Sequence, residues 1–383
     1  MSSGRQWRQA MRRRVFPAAA IVTAAVALIA PAGAAGEEVH TSQATRAGAE
    51  ETTWVPMPAK PAAICLIDTG VDVNPDTSSV IARYAVDDGD GGDISSSRHG
   101  TQMAMVAAAP VNGWGMVGIA PGQPIVSVRA QTTPGRFYVD DYLRGVQLCR
   151  RQAEEHNIRV INLSLGAQGR PVDSTLRALT DAVDAARDRG ISVVAAAGNE
   201  PGPVETPANY EPILAVAAGT SGGRLCDFAA GGRDQDPAAD VIAPGCELDV
   251  AMPDTGEPAW ASGSSQAAAM TSAALAQLYS HRPDLDPDTA EELLVRHGTA
   301  GPDGVAVNLA AAWKAAGLEH LLALGAAARP PLPTPPEDKT PAPEPAGPAP
   351  EPAVPGYRPI EPPTITRQGR SRWPEPRGTR IVC

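Results

Sequence analysis

Residues 62–70 read AAICLIDTG, a compact apolar run that ends at Asp68 and a turn. Short apolar runs bounded by turn residues are typical of strands buried on both faces of a sheet. Three more such runs follow along the chain, at 158–163, 191–196 and 213–218. Between the runs, apolar residues recur at helical spacing over 139–156 and 174–189. Buried strands that alternate with helices predict an α/β fold with a doubly wound, mostly parallel sheet and helices on both faces.

The composition limits which functions are possible. The net charge of the 383-residue chain is −11, which argues against nucleic-acid binding, since that normally requires a basic surface. Aromatic residues make up only 4% of the chain, so its core must be built from Ala, Val, Leu and Ile. The middle of the chain is long enough to bury one large core.

The first residues have the features of an export signal. A basic cluster at residues 12–14 precedes an apolar run at 18–30, and Ala32-Gly33-Ala34 follows as a small-residue cleavage site. An uncleaved membrane anchor is the alternative, although a spanning helix needs about 20 apolar residues. We therefore predict a signal peptide over 1–34, a short extension over 35–55, and a secreted or cell-envelope location. General secretion and the twin-arginine route both remain open.

The end of the chain has a different composition. From residue 329 onward proline recurs every two or three positions, which excludes regular helix or sheet ladders. We predict that residues 329–383 form a disordered, extended tail, either a solvated spacer or a segment that contacts the cell envelope. No apolar run in this tail is long enough to form a C-terminal membrane helix.

Export would place the five cysteines where disulfides can form. Cys226 and Cys246 bracket a loop and are predicted to pair. Cys65 lies in a strand pattern and Cys149 in a helical pattern, so we expect two buried thiols, with pairing between them as the alternative. Cys383 is the last residue and is given no partner. No cysteine spacing resembles a zinc site, and no metal site is predicted.

Four polar residues stand where a sheet of this type places functional groups. Asp68 directly follows the first apolar run and Asn199 follows the third, so both should lie at the carboxyl edge of the sheet. His99 and Ser265 each open a helical stretch. A serine at a helix start can also be a simple N-cap, so position alone does not assign a role to Ser265.

A hydroxyl nucleophile needs a base to take its proton and a third group to orient that base. The parts occur in four segments: Asp68-Thr69-Gly70, His99-Gly100-Thr101, Ala197-Gly198-Asn199 and Gly263-Ser264-Ser265. In this order the segments resemble the subtilisin-like serine proteases, the subtilases. Connecting segments at 118–121, 161–166, 206–208 and 241–245 resemble the same family. The resemblance covers roughly residues 60–315 and predicts a peptidase domain at 56–320.

The resemblance implies the role of each group. Ser265 would attack the scissile carbonyl, His99 would take its proton, and Asp68 would orient His99. The Asn199 amide and the backbone N–H of Ser265 would bind the oxyanion. Residues Ser164, Leu165 and Gly166 would bind an extended protein or peptide substrate as an added strand.

The resemblance also places small residues, among them Ala197 and Gly198, along one wall of the primary specificity pocket. Glu205 would then lie near the base of that pocket, with Glu200 nearby. Two carboxylates there predict a preference for Arg or Lys before the scissile bond. The alternative is that both carboxylates simply face solvent.

The sequence departs from the family pattern at several positions. Ser264 replaces the usual Thr before the nucleophile, and Ala269 replaces a Pro after it. Gln102 and Met103, after the histidine motif, are also atypical. Residues 34–54 leave room for only a short peptide where many secreted members carry a prodomain.

Other functions are compatible with the same sequence. A pseudoprotease would use the fold only to bind peptides, and a cell-surface adaptor would act through the proline-rich tail. The signal, the tail and the pair Cys226 and Cys246 are similar to those of mycosins, cell-envelope subtilases of actinobacteria that carry a C-terminal membrane helix. The triad chemistry requires no cofactor. Calcium is common in the family, but no set of calcium ligands is recognisable here.

Overall fold

A nine-stranded sheet runs through the computed structural model, which describes residues 49–134, 137–164, 173–329 and 379–382. These residues belong to one compact unit. The described strands are β1 (Ala63–Asp68), β2 (Val80–Ala85), β3 (Ile125–Arg129), β4 (Ile158–Leu163), β5 (Ser192–Ala196), β6 (Leu214–Gly219), β7 (Val241–Pro244), β8 (Leu248–Ala251), β9 (Pro258–Ser262), β10 (Thr299–Ala300), β11 (Val305–Ala306) and β12 (Thr379–Val382).

The strand order of the large sheet is β10-β11-β7-β6-β5-β4-β1-β3-β2. All neighbours in it are parallel except the β10–β11 pair at one edge. A smaller sheet has the order β12-β9-β8. The described helices are α1 (Glu50–Thr53), α2 (His99–Ala108), α3 (Val139–His156), α4 (Asp173–Arg187), α5 (Ser264–His281), α6 (Pro287–Arg296), α7 (Leu309–Ala315) and α8 (Glu319–Ala328).

Both faces of the large sheet are buried, which confirms the predicted doubly wound α/β fold. Along β1, Ile64 and Leu66 belong to a core that includes apolar residues of α2 and α5. Cys65 and Ile67 point to the opposite core, which includes residues of α3 and α4. Every residue of β1 is buried, and this explains why the strand is a continuous apolar run rather than an alternating one.

Helix α5 lies in the interior of the domain. Each of its residues from Ser264 to Ser280 is buried, and most of them are small or apolar. A helix surrounded by protein on all sides needs no polar face, and short Ala and Ser side chains let it pack closely against the sheet. The N-terminus of this buried helix faces the carboxyl ends of the central strands, where β5, β4 and β1 are neighbours.

Two disulfides join segments of the domain. The predicted pair Cys226–Cys246 is present. The expectation that Cys65 and Cys149 are buried thiols is wrong, because they form a second disulfide. The physical reason is the direction of Cys65, which faces the side of β1 where α3 packs. That packing brings the two Cα atoms to 5.9 Å, within bridging distance. Cys383 lies outside the described residues.

The predicted extension at 35–55 is described only from residue 49. There α1 packs against α8, Glu50 pairs with Arg329, and the carbonyl of Thr52 accepts a hydrogen bond from Gln277. Within the tail predicted to be disordered, β12 instead forms a parallel strand beside β9. The predicted signal and the rest of the tail lie outside the described residues. Within the described part of the chain, no helix is both long enough and apolar enough to span a membrane.

Candidate active site

The centre of the site is a contact between the end of a strand and the start of a helix. Asp68 is the last residue of β1, and His99 is the first residue of α2. His99 Nδ1 lies 2.7 Å from Asp68 Oδ1, an oxygen that also accepts the N–H of Thr69 at 2.7 Å. The close approach requires glycine at Gly100, because a Cβ there would lie 2.2 Å from the carbonyl oxygen of Gly70. The strand end and the helix start are therefore held in direct contact.

Arg98 holds the chain just before the histidine. Its φ of +53° is in the left-handed region, which is unfavourable for a residue with a side chain. Its guanidinium lies 3.2 Å from the Asp72 carboxylate and 3.4 Å from that of Asp254, and it donates to the carbonyl of Asp93 at 2.9 Å. These contacts stabilise the backbone turn from which His99 enters the site.

The loop before α2 is tied to the helix by a buried carboxylate. Asp93 accepts hydrogen bonds from the N–H of Thr101 at 3.0 Å, from its hydroxyl at 2.8 Å, and from the N–H of Ser95 at 2.9 Å. Burial raises the pKa of the Asp93 carboxyl, while these hydrogen bonds act in the opposite direction. Asp93 therefore has a structural role beside the site.

Ser265 lies at the start of α5 and makes reciprocal hydrogen bonds with Ser164. The Ser265 hydroxyl donates to the Ser164 carbonyl at 2.5 Å, and the Ser164 hydroxyl donates to the Ser265 carbonyl at 3.0 Å. Gly263 occupies the N-cap, so Ser265 is not the cap of this helix. Asn162 donates to Ser164 at 2.7 Å and accepts from Ser272 at 2.9 Å. The end of β4 is thus bound to α5.

The sequence reasoning missed the supporting pair Asn162 and Ser272. One signal could have found the first of them, since Asn162 is a polar residue inside the apolar run at 158–163. A fully buried amide must find hydrogen-bond partners, so its presence in a buried strand indicates a polar network nearby.

A second buried pair links the two helices that carry the site. The Nε2 of Gln266 donates to the Oε1 of Gln102 at 3.1 Å, and neither side chain is exposed to solvent. Gln266 directly follows Ser265, and Gln102 lies one helical turn after His99. The atypical Gln102 therefore has a structural partner.

Asn199 is anchored at the same helix start. Its Oδ1 accepts hydrogen bonds from the N–H of Ser264 at 2.9 Å and from the Ser264 hydroxyl at 3.0 Å. The N–H of Gly198 donates to the same hydroxyl at 3.3 Å. The replacement of Thr by Ser264 thus retains the hydroxyl contact. Because the carbonyl end of the Asn199 amide is bound to the helix, its NH₂ end is the end that can serve as a donor toward a ligand.

Glu205 lies against Gly198. Its N–H donates to the carbonyl of Ala197 at 2.9 Å, and a Cβ on Gly198 would lie 2.6 Å from the Glu205 carboxyl group. Glu205 is exposed, but partial desolvation of the carboxyl raises its pKa, and the negative charge of Glu200 raises it further. Ala197, Gly198 and Glu205 are therefore neighbours, whereas Leu165 and Gly166 lie outside the described residues.

A buried phenol lies close enough to Asp68 to be affected by its charge. Tyr142 of α3 is completely buried there. Burial raises the pKa of its phenol well above the usual value, and the charges of Asp68 and Asp141 raise it further. Among the described residues, no three His, Cys, Asp or Glu side chains are grouped so that they could hold a metal ion.

Comparison with known proteins shows to which family the chain belongs. Residues 59–312, more than half of the chain, match the model of the subtilase family. The chain is 37% identical over 190 residues to the thermophilic serine proteinase of Bacillus sp. (strain AK1), covering 48% of this chain and 44% of that protein. It is 29% identical over 281 residues to the minor extracellular protease Epr of Bacillus subtilis (strain 168), covering 70% of this chain and 39% of that protein. The chain thus spans less than half of the length of these two relatives.

Solved structures show the same fold. A psychrophilic protease superposes with a TM-score of 0.55 at 26% identity, covering 69% of this chain and 93% of the other. A subtilase cytotoxin superposes with a TM-score of 0.60 at 21% identity, covering 74% of this chain and 97% of the cytotoxin chain. Nearly the full length of both known structures is therefore matched, and the match to the cytotoxin concerns the fold alone.

Proposed function

The chain belongs to the subtilase family, and on that premise we propose that it is an exported serine endopeptidase acting through Asp68, His99 and Ser265. One observation carries the proposal, namely the 2.7 Å contact between His99 Nδ1 and Asp68 Oδ1. Ser265 stands at the start of α5, which is joined through the Gln102–Gln266 hydrogen bond to the helix that His99 opens.

In the proposed reaction, Asp68 accepts the Nδ1–H of His99, so the basic lone pair lies on Nε2. Ser265 Oγ attacks the scissile carbonyl while Nε2 takes the hydroxyl proton, and the imidazolium later gives that proton to the leaving amine. Water then repeats the sequence on the acyl-enzyme. The buried Asp68 carboxylate stabilises the transient imidazolium more strongly than a solvated carboxylate could.

The Ser164 carbonyl has a part in this reaction because it accepts the Ser265 proton at 2.5 Å. Attack requires the same proton to be given to His99. We therefore infer that the hydroxyl turns away from Ser164 as the substrate carbonyl reaches the site. Ser164 and the residues after it would bind the substrate backbone as an added strand, which selects extended protein or peptide segments.

The oxyanion would be held from two sides. The first backbone N–H groups of α5 have no partner within the helix, and the helix dipole places partial positive charge at this end. The N–H of Ser265 is one of these groups. The Asn199 amide, anchored through its Oδ1 to Ser264, would supply the second donor.

The location of Glu205 supports a substrate preference. Its carboxylate adjoins Gly198, one residue from the proposed oxyanion donor Asn199. Among the described residues, neither Glu205 nor Glu200 forms an ion pair within 4 Å. Two uncompensated carboxylates beside the cleft would attract a cation, so we propose Arg or Lys before the scissile bond.

Export is supported by the two disulfides, which persist in oxidising compartments. The signal at 1–34 and contact of the proline-rich tail with the cell envelope stay predictions. Binding without cleavage, as in a pseudoprotease, is the alternative outcome of the test below.

The decisive experiment treats the purified chain with a fluorophosphonate, which forms a covalent bond only with an activated serine. We expect labelling of the wild-type chain and of Ser97→Ala, a control in an exposed loop, and none of Ser265→Ala. If well-folded wild-type protein is not labelled, the endopeptidase proposal fails and the binding role takes its place.

A further inference from the structure

Two buried glutamines connect the helices that begin with the proposed base and the proposed nucleophile. The Gln102–Gln266 hydrogen bond joins residues 164 positions apart in the chain, and both side chains are fully buried. The proposed reaction gives this pair no role, since neither amide takes part in the chemical steps.

Two buried polar side chains at this place need a reason, because apolar side chains could fill the same space. Burying an amide costs free energy unless the amide is hydrogen-bonded, whereas two apolar side chains of similar size would pack without that requirement. The rest of this part of α5 follows the apolar pattern, with Ala267, Ala268 and Ala269 after Gln266. Apolar packing is non-directional, whereas a hydrogen bond holds two atoms at a defined distance and angle.

The pair lies next to the two proposed catalytic groups, so the length of its hydrogen bond affects their placement. Gln102 lies three residues after His99, so both are on the same face of α2. Gln266 is the residue next to Ser265, where a shift of its backbone moves the nucleophile directly. The hydrogen bond therefore sets how far apart the two helix starts lie and how they are rotated about their axes.

We propose that Gln102 and Gln266 are positioning residues, whose hydrogen bond holds the His99 imidazole at the distance from the Ser265 hydroxyl that proton transfer requires. The inference rests on the proposed function. Its strength comes from the sensitivity of such reactions to geometry, since a misplacement of 1 Å can cost about 10²-fold in rate.

The test compares four variants with the wild-type chain. Gln102→Met and Gln266→Met preserve length and flexibility but remove one partner each, and the double variant removes both. Gln277→Met is the matched control, since Gln277 is also a buried glutamine of α5 and donates to the Thr52 carbonyl at 3.1 Å. For each variant we would measure the fluorophosphonate labelling rate, kcat, KM, the pH dependence of kcat/KM, and the thermal midpoint.

We expect each single variant to lower the labelling rate and kcat about tenfold or more, with KM unchanged, because only the alignment of base and nucleophile is lost. The value of kcat/KM should be lower at every pH, and the midpoint of its pH dependence should not shift, since both side chains are neutral. The double variant should regain thermal stability relative to the single variants, because it buries no amide of the pair, but not the lost rate. Gln277→Met should lower the thermal midpoint and leave the labelling rate and kcat of the folded protein unchanged.

The inference is overturned if the double variant regains the wild-type rate together with its stability, or if Gln277→Met lowers the rate as much as Gln266→Met. Single variants that react at the wild-type rate would also overturn it. Absence of labelling in the wild-type chain would instead refute the proposed function, so the two failures can be told apart.

Discussion

The Nδ1 nitrogen of His99 lies 2.7 Å from the Oδ1 oxygen of Asp68, and only 6% of His99 and 1% of Asp68 reach solvent. In such surroundings a carboxylate and an imidazolium attract each other more strongly than they would in water. The contact also determines which imidazole nitrogen carries the proton. Replacing this carboxylate is therefore the sharpest test of the proposed roles.

We expect Asp68→Asn to lower kcat by about 10⁴-fold, a magnitude borrowed from the same substitution in another Asp-His-Ser triad. An asparagine amide would donate to Nδ1, which moves the proton to Nε2 and removes the base. Steady-state hydrolysis of a peptide substrate measures the effect, with Asp140→Asn, which changes an exposed carboxylate in the first turn of α3, as control. A kcat within tenfold of wild type would contradict the role given to Asp68.

Asn199→Ala should lower kcat by about 10²–10³-fold with little change in KM, a magnitude known from a subtilisin rather than obtained from this structure. The reason is the loss of a donor that acts only when the oxyanion forms. Ser264→Ala separates the two functions of the Asn199 side chain, because it removes the hydroxyl contact that helps to anchor Asn199 and keeps both the backbone N–H contact and the donor. An equal loss in both variants would show that anchoring, not donation, is what the rate depends on.

Glu205→Gln should reduce the preference for Arg over Leu before the scissile bond about fivefold, since an exposed ion pair contributes up to about 1 kcal/mol. Glu205→Lys should reduce cleavage after Arg further and leave cleavage after Leu nearly unchanged. Two peptides that differ only at this residue give the ratio of kcat/KM. Glu319→Gln in α8 is the control, and equal cleavage of both peptides by the wild-type chain would end the hypothesis.

The preference for Arg should also depend on pH. Only the ionised Glu205 carboxylate attracts a cation, and desolvation together with the charge of Glu200 raises its pKa above the usual value. As pH falls through this raised pKa, the Arg-to-Leu ratio should decline, at a higher pH than for an ordinary glutamate. Using the ratio cancels any pH dependence that the cleavage of both peptides has in common.

Two variants check the origin of that pH dependence. Glu200→Gln should move the midpoint of the decline to lower pH, because one of the two causes of the raised pKa is removed. Glu205→Gln should weaken the change of the ratio with pH, leaving only the part that Glu200 contributes. A midpoint unaffected by Glu200→Gln would mean that another group controls the preference.

The two disulfides should differ in their contribution to stability. They join residues 84 and 20 positions apart. Removing a disulfide typically lowers the free energy of unfolding by about 2–4 kcal/mol, and chain entropy predicts that the longer loop costs about 1 kcal/mol more. Urea unfolding of Cys65→Ala/Cys149→Ala and of Cys226→Ala/Cys246→Ala measures the difference. A larger loss from the second pair would contradict the chain-entropy account.

The amino-acid sequence by itself determined the type of the strands and helices that carry the site. The apolar run at 158–163 coincides with β4, and the helical spacing over 139–156 coincides with α3. The first pattern depends on the length and composition of an apolar run, and the second on the period with which side chains repeat along a helix; both are local properties. The same patterns placed Asp68 at the end of a strand and His99 at the start of a helix.

Only the tertiary structure decided which distant residues touch. The Cys65–Cys149 disulfide, the reciprocal bonds between Ser164 and Ser265, and the Gln102–Gln266 pair join residues 84, 101 and 164 positions apart. These contacts depend on the order of strands in the sheet and on which helix covers which face. Neither property is encoded in a local repeat, because both follow from the packing of the whole core. The sequence therefore determined which groups the site could contain, and packing determined how they meet.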